Sequence, residues 1–208
     1  MMTFDASRPT VALLPGSRRN ELERLVPVIA AALPGIAARL EHVQFVVAGA
    51  PHLDDARFAP LVDAAASLRR PLVLVRERTD AVLAAADVTI TASGTATVQG
   101  AIHGCPMVVI YKLSPLTYRL GKPFVNVDTY AMANLIARRR LVPELIQDGC
   151  TPARVVEETV SLAEDRPRRA AVIEGLREVR DRLAMPGASG RAAEAVLGVA
   201  RRTRGVAE

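Results

Sequence analysis

The 208-residue sequence predicts an α/β fold, a Rossmann-like three-layer domain with a parallel sheet, followed by helices at the C-terminal end. Two observations carry this prediction. Short runs rich in β-branched residues recur between longer helical patterns, and those runs are nearly continuous in apolar character instead of alternating, which is the pattern of strands covered on both faces. Hydrophobic residues make up 50% and charged residues 24% of the chain, enough to build a packed core. Aromatic residues are only 3%, with no Trp, which argues against a stacking platform for single-stranded nucleic acid and against an aromatic carbohydrate cleft.

The elements follow in order. Residues 1–9 read as an untied leader or the remnant of a linker. The first strand is Thr10 to Leu14, and it runs into Pro15-Gly16-Ser17-Arg18-Arg19-Asn20-Glu21, where Gly16 permits a tight turn and Ser17 can cap a helix. Pro27 predicts that this helix is kinked early or begins later than Ser17 implies. Gln44 to Ala48, Leu72 to Val75, Asp87 to Thr91 and Met107 to Tyr111 supply four more strands, with a short helix from Ala81 to Ala86 before the fourth. From Thr151 the pattern is helical only: Thr151-Pro152 reads as an N-cap and first helical residue, with breaks near Arg166-Pro167 and Met185-Pro186-Gly187 before Ala192 to Ala200. Domain boundaries are therefore placed at a leader, 1–9, a binding domain, 10–150, and C-terminal helices, 151–208, that pack on the domain or on a partner.

Lys and Arg number 27 against 22 Asp and Glu, and the stretch from Arg166 to Glu208 holds ten Arg and five acidic residues, the whole excess of +5. This reads first as a solvated helix face, although the same composition could meet an anionic membrane. No nucleic-acid motif accompanies it, and no nucleic-acid partner is expected. Only Lys112 and Lys122 are Lys. Cys105 and Cys150 are distant in sequence and form no C-x-x-C, so two reduced thiols in a cytosolic protein are expected and a zinc site is not. The longest uncharged apolar stretch, Val26 to Ala38, is too short to span a bilayer.

In open parallel sheets ligands bind beyond the carboxyl ends of the strands. Three of these ends look built for an anion, those of the first, third and fourth strands. At Gly16-Ser17-Arg18 a helix N-terminus and a guanidinium converge, and at Ser93-Gly94-Thr95 small residues let a ligand approach the backbone at another helix start. Two such nests at neighbouring strand ends suit a diphosphate; each taken alone is also ordinary strand-to-helix turn chemistry. The loop Arg76-Glu77-Arg78-Thr79-Asp80 could receive a nucleobase or be a charged surface turn. His42, His52 and His103 show no metal spacing, no nucleophile elbow is present, and no residue stands out as a general base.

Taken in order, Leu14-Pro-Gly-Ser-Arg18, Ala92-Ser-Gly-Thr-Ala96, Cys105-Pro-Met-Val-Val109 with Tyr111-Lys112, Asn134-Leu-Ile-Ala137 and Val142-Pro-Glu-Leu-Ile-Gln147 closely resemble the C-terminal half of the lipid-A-disaccharide synthases. The resemblance runs from about Thr10 to Cys150 and more weakly through the terminal helices. It implies one half of a GT-B fold and an inverting hexosyltransferase without metal or other cofactor. That enzyme transfers 2,3-diacylglucosamine from its UDP conjugate to 2,3-diacylglucosamine 1-phosphate, releasing UDP, in lipid A biosynthesis. Carried over residue by residue, Gly16, Ser17, Arg18, Ser93, Gly94 and Thr95 would hold the diphosphate. Arg76 and Thr79 would lie near the uracil, and Asn134, Glu144 and Gln147 would line the donor cleft. The implied setting is the cytoplasm, with peripheral contact at the inner face of the inner membrane, and a homodimer through the C-terminal helices.

Three departures from the family pattern stand out. Gln99 replaces a usual Glu that accepts hydrogen bonds from ribose hydroxyls in related glycosyltransferases, Ala133 replaces a usual Pro, and Arg138 a usual Gly. The chain begins just before the first strand of the donor domain. The resemblance therefore implies that the acceptor domain and its general base lie outside it, in trans if the gene is split, and that this chain alone does not complete the transfer. Two other readings fit the same residues: a non-catalytic nucleotide-sugar-binding or interaction module, and another GT-B enzyme such as the peptidoglycan N-acetylglucosaminyltransferase or a UDP-N-acetylglucosamine 2-epimerase.

Overall fold

A computed structural model describes residues 5–114, 129–184 and 187–204. Lys122 and the Met185-Pro186 part of the expected break lie outside the described residues. The strands are β1 (Thr10–Leu14), β2 (Gln44–Gly49), β3 (Leu72–Arg76), β4 (Val88–Ala92), β5 (Met107–Tyr111) and β6 (Glu144–Ile146), all parallel within one sheet of order β3-β2-β1-β4-β5-β6. Five of them match the apolar runs in the sequence. The sixth was not anticipated, because it is three residues long and follows Pro143 with no β-branched residue except Ile146.

The helices are α1 (Arg19–Arg39), α2 (Ala59–Ser67), α3 (Thr79–Ala85), α4 (Thr95–Ile102), α5 (Met132–Ala137), α6 (Pro152–Glu164), α7 (Arg166–Leu183) and α8 (Ala188–Arg204). The pleat of β1 divides the interior in two. Val11 and Leu13 point to one face, where Phe45, Val47, Leu25, Ile29, Leu33 and Val155 form the larger core under α1, α2 and α6. Ala12 and Leu14 point to the other, where they meet Val46, Val82, Leu83 and Cys105 beneath α3 and α4. This two-sided burial is why the strands read as unbroken apolar runs.

α1 is one helix through both Pro27 and Pro34, and it begins at Arg19 with Arg18 as its N-cap, one residue later than a Ser17 cap implies. Each proline removes one backbone hydrogen bond. Against that stand nine buried side chains on the helix, among them Leu22, Leu25, Ile29, Leu33 and Ile36, each fully buried apolar side chain contributing about 1.5–3 kcal/mol. From Asp5 the leader is tied down. Gln44, itself buried, donates from Nε2 to the Asp5 carbonyl at 2.6 Å and accepts from the Asp5 N–H at 3.0 Å. Thr151 caps α6, accepting from the Arg154 N–H at 3.3 Å, and Asp165 caps α7, accepting from the Arg168 N–H at 3.0 Å. Both cysteines are free and buried, and burial pushes the Cys105 thiol up to about 11, so this sulfur behaves as core rather than as a nucleophile.

α1 and α6 meet at Gly35, where a Cβ would lie 2.7 Å from Cγ2 of Val156. A stiff β-branched neighbour cannot yield that space cheaply. Gly35→Val is expected to destabilise the protein by about 1–3 kcal/mol in urea unfolding, and a variant as stable as the parent would show that the helices are not packed this closely.

Candidate functional site

The sheet winds one way from β1 to β3 and the other way from β4 to β6, so a crevice opens between the carboxyl ends of β1 and β4. A cleft of about 450 Å³ occupies it. Its lining joins Gly16, Ser17, Arg18 and Glu21 after β1 to Ser93, Gly94, Thr95 and Gln99 after β4. Ala50 and Pro51 after β2, Glu77 and Thr79 after β3, Ala96 of α4 and Met132 of α5 also line it. Of the residues expected at a donor site, eight therefore share one cleft: Gly16, Ser17, Arg18, Thr79, Ser93, Gly94, Thr95 and Gln99.

The two turns at the switch point are built differently. Gly16 has φ +116°, and a Cβ on it would come within 2.4 Å of Glu21 Oε2, so the turn admits only glycine. Arg18, not Ser17, is the N-cap of α1, which begins at Arg19. The Glu21 carboxylate folds back over this start: Oε2 accepts from the Ser17 N–H at 2.9 Å and the Arg18 N–H at 3.1 Å, and Oε1 accepts from Arg18 Nη1 at 3.1 Å. The helix end thus already holds an internal anion. Arg18 spends one donor on Glu21, and its side chain is 81% exposed.

At α4 no carboxylate intervenes among the described residues. Gly94, with φ +153°, is the N-cap, no side chain caps the helix, and its first turn carries no acidic residue. Ser93 turns its hydroxyl away to donate to the Tyr130 carbonyl at 2.9 Å, and the Thr97 hydroxyl donates to the Gly94 carbonyl at 2.7 Å. Among the described residues no side chain caps the start of α4 where it faces the cleft, and Arg18 stands on the opposite wall.

Four expected site residues do other work. Arg76 donates to the Ala50 carbonyl, pairs with Asp55 and lies over the Phe58 ring, 5.3 Å from its centroid. It fastens the loop after β2 and leaves Ala50 and Pro51, not its own guanidinium, on the cleft wall. Asn134 is fully buried: Oδ1 accepts from the Leu141 and Val142 N–H groups, each at 2.9 Å, and Nδ2 donates to the Val142 carbonyl at 2.9 Å and to Glu144 Oε1 at 2.6 Å. Glu144 also accepts from the Thr129 hydroxyl, from the Tyr130 N–H at 2.7 Å and from the Ala131 N–H at 3.2 Å. Gln147 accepts from the Leu113 N–H. These residues brace the approach to α5, including Tyr130, whose carbonyl takes the Ser93 hydroxyl. None of the three is among the residues that line the cleft.

Glu21, Glu77 and Met132 were not singled out by the sequence. For Glu21 a signal existed, an acid three residues after the N-cap; Met132 reaches the cleft only through tertiary placement. A larger groove of about 860 Å³ runs along β6 and is lined by Arg139, Arg140, Arg154 and Arg168. Its charge is largely spent internally, since Arg139 pairs with Glu178 at 2.8 Å and Arg168 with Glu158 at 2.5 Å.

The bracing network and the cleft wall should separate in unfolding experiments. Glu144→Ala strands buried donors on Tyr130, Ala131 and Asn134 and is expected to cost about 2–4 kcal/mol, whereas Arg18→Ala and Gln99→Ala should stay within about 0.5 kcal/mol of the parent. Equal losses from all three would contradict this division.

The family model for lipid-A-disaccharide synthetase matches residues 1–192. The chain is 43% identical over 196 residues to the lipid-A-disaccharide synthase of Anaeromyxobacter sp. (strain K), covering 94% of this chain and 51% of that protein. It is 40% identical over 194 residues to the synthase of Geobacter metallireducens, covering 93% and 50%. The chain thus spans about half the length of the curated relatives it matches. Among solved structures, UDP-GlcNAc 2-epimerase from Neisseria meningitidis superposes with a TM-score of 0.65 at 15% identity, covering 94% of this chain and 46% of that one. MurG from Acinetobacter baumannii superposes with a TM-score of 0.58 at 16% identity, covering 92% and 50%. These likenesses show the fold, one Rossmann-like half of a GT-B architecture, and the sequence matches show the family: this chain belongs to the lipid-A-disaccharide synthetases.

Proposed function

We propose that this chain is the donor-binding part of an inverting hexosyltransferase of lipid A biosynthesis. The transfer moves 2,3-diacylglucosamine from its UDP conjugate to 2,3-diacylglucosamine 1-phosphate and releases UDP. The observation that carries the reading is the pairing, across one cleft at the strand-order switch, of the exposed Arg18 guanidinium with the uncapped start of α4. Family membership supplies the reaction.

The chemistry suits this arrangement. The acceptor hydroxyl attacks the anomeric carbon from the face opposite the diphosphate, the carbon–oxygen bond to the β-phosphate breaks, and its electron pair leaves on UDP. Negative charge therefore grows on the phosphate oxygen, and we assign Arg18 and the amides of Thr95 and Ala96 to meet it. The proton of the attacking hydroxyl goes to a base that we assign to the acceptor half of the protein. Acyl chains on both sugars place the reaction at a membrane surface. Among the described residues no helix is long and apolar enough to cross a membrane. α8, with Val196, Leu197 and Val199 more than half exposed, is the element proposed to meet a membrane or a second copy of the chain.

Calorimetric titration tests the reading. The purified chain should bind UDP, and Arg18→Ala should weaken that binding by about 1.5–3 kcal/mol. A folded chain that does not bind UDP would remove the donor role and favour an interaction module instead; binding unchanged by Arg18→Ala would remove this side chain from the site.

A further inference from the structure

Among the described residues eight large apolar side chains are exposed, and Met132 is the one of them that also lines the cleft. It is the first residue of α5 and is 39% exposed; Leu135, nearly one turn further along the helix, is 51% exposed. A single exposed side chain of this kind needs no explanation, but two spaced i, i+3 on one short helix share a face. The opposite face of α5 is buried through Ala133, Asn134 and Ala137.

A helix of six residues is too short to be stable alone, and α5 is held from outside. Asn134 bonds to Leu141, Val142 and Glu144, and Glu144 accepts from the Tyr130 and Ala131 N–H groups immediately before the helix. The Tyr130 carbonyl in turn accepts the Ser93 hydroxyl at 2.9 Å. This network fixes the apolar face of α5 relative to the turn that starts α4.

Position in the cleft supplies the ligand. By strand order the lining runs from Glu77 and Thr79 after β3, across the switch point, to Met132 on the β4 and β5 side. A nucleoside directed towards Thr79, with its diphosphate at the start of α4, puts the hexose on the α5 side. Carbon 2 of that hexose is bonded to the anomeric carbon, so an acyl chain on the 2-nitrogen starts close to the β-phosphate. Its complement is apolar surface at this end of the cleft, and the unbranched, adaptable Met side chain suits a flexible chain.

We propose that Met132 and Leu135 form the contact for the 2-acyl chain of the sugar donor. The proposal rests on the donor-binding reading above and makes the chain selective for acylated over acetylated donors.

The test measures dissociation constants of the full chain, and of its M132L and M132S/L135S variants, for UDP, UDP-N-acetylglucosamine and the analogue carrying octanoyl in place of acetyl on the 2-nitrogen. Both side chains are exposed, so the substitutions leave the fold standing. The parent should bind the octanoyl donor about tenfold or more tightly than the acetyl donor. M132L should keep that preference, and M132S/L135S should bring it to within about twofold of one. A parent that binds UDP but does not distinguish the two donors, or an unaltered preference in M132S/L135S, would overturn the acyl contact while leaving the donor site standing. An unaltered preference accompanied by loss of binding to phosphatidylglycerol vesicles would give the face to a membrane instead. A parent chain that binds none of the three ligands would overturn the donor reading and this contact together.

Discussion

The reversal of winding between β1 and β4 is the constraint on which the site depends. Because β1 to β3 are laid down in one direction and β4 to β6 in the other, the chain leaving β1 and the chain leaving β4 turn away from each other and leave the crevice open. Every functional feature is a consequence of that opening. It brings a guanidinium and an uncapped helix start onto facing walls, and it leaves room for Glu77, Thr79 and the loop held by Arg76 to extend the cleft along the sheet. The two cores fix the opening, since the alternation of Val11 and Leu13 with Ala12 and Leu14 clamps β1 between α1 on one side and α3 on the other.

Charge is partitioned within this cleft. At α1 the field of the helix end is already answered by Glu21, which also orients Arg18. At α4 it is not. A diphosphate would therefore sit closer to the Ser93-Gly94-Thr95 turn than to Gly16-Ser17, with Arg18 reaching across as a directional donor. The symmetry of two equivalent phosphate nests, suggested by two similar strand-to-helix turns, is broken by one carboxylate three residues into the helix.

The sheet was legible because both faces of β1 and β4 are buried throughout, and those of β2 and β5 nearly so, while the half-buried edge strand β3 keeps an apolar run of its own, which leaves an apolar signature in the sequence itself. α1 was legible in existence, while the burial that carries it past Pro27 and Pro34 is a tertiary effect. The strand ends were legible as a site because glycine and small residues mark close backbone approach. Asn134 and Glu144 show the limit. As motif residues they resemble ligand contacts, whereas the structure shows their polar atoms bonded to Leu141, Val142, Tyr130 and Ala131, partners that only the three-dimensional arrangement reveals. Arg76 is similar, because its partners Ala50 and Asp55 lie more than twenty residues away in sequence.

The central claim is that the nucleotide binds at the switch point between β1 and β4, and a crystal structure of the chain with UDP tests it most directly. The account predicts phosphate oxygens within hydrogen-bond distance of the Thr95 and Ala96 N–H groups, with the Arg18 guanidinium turned towards them and the nucleoside running towards Thr79. Phosphates seated among Arg139, Arg154 and Arg168 in the groove along β6, with the switch-point cleft vacant, would contradict it.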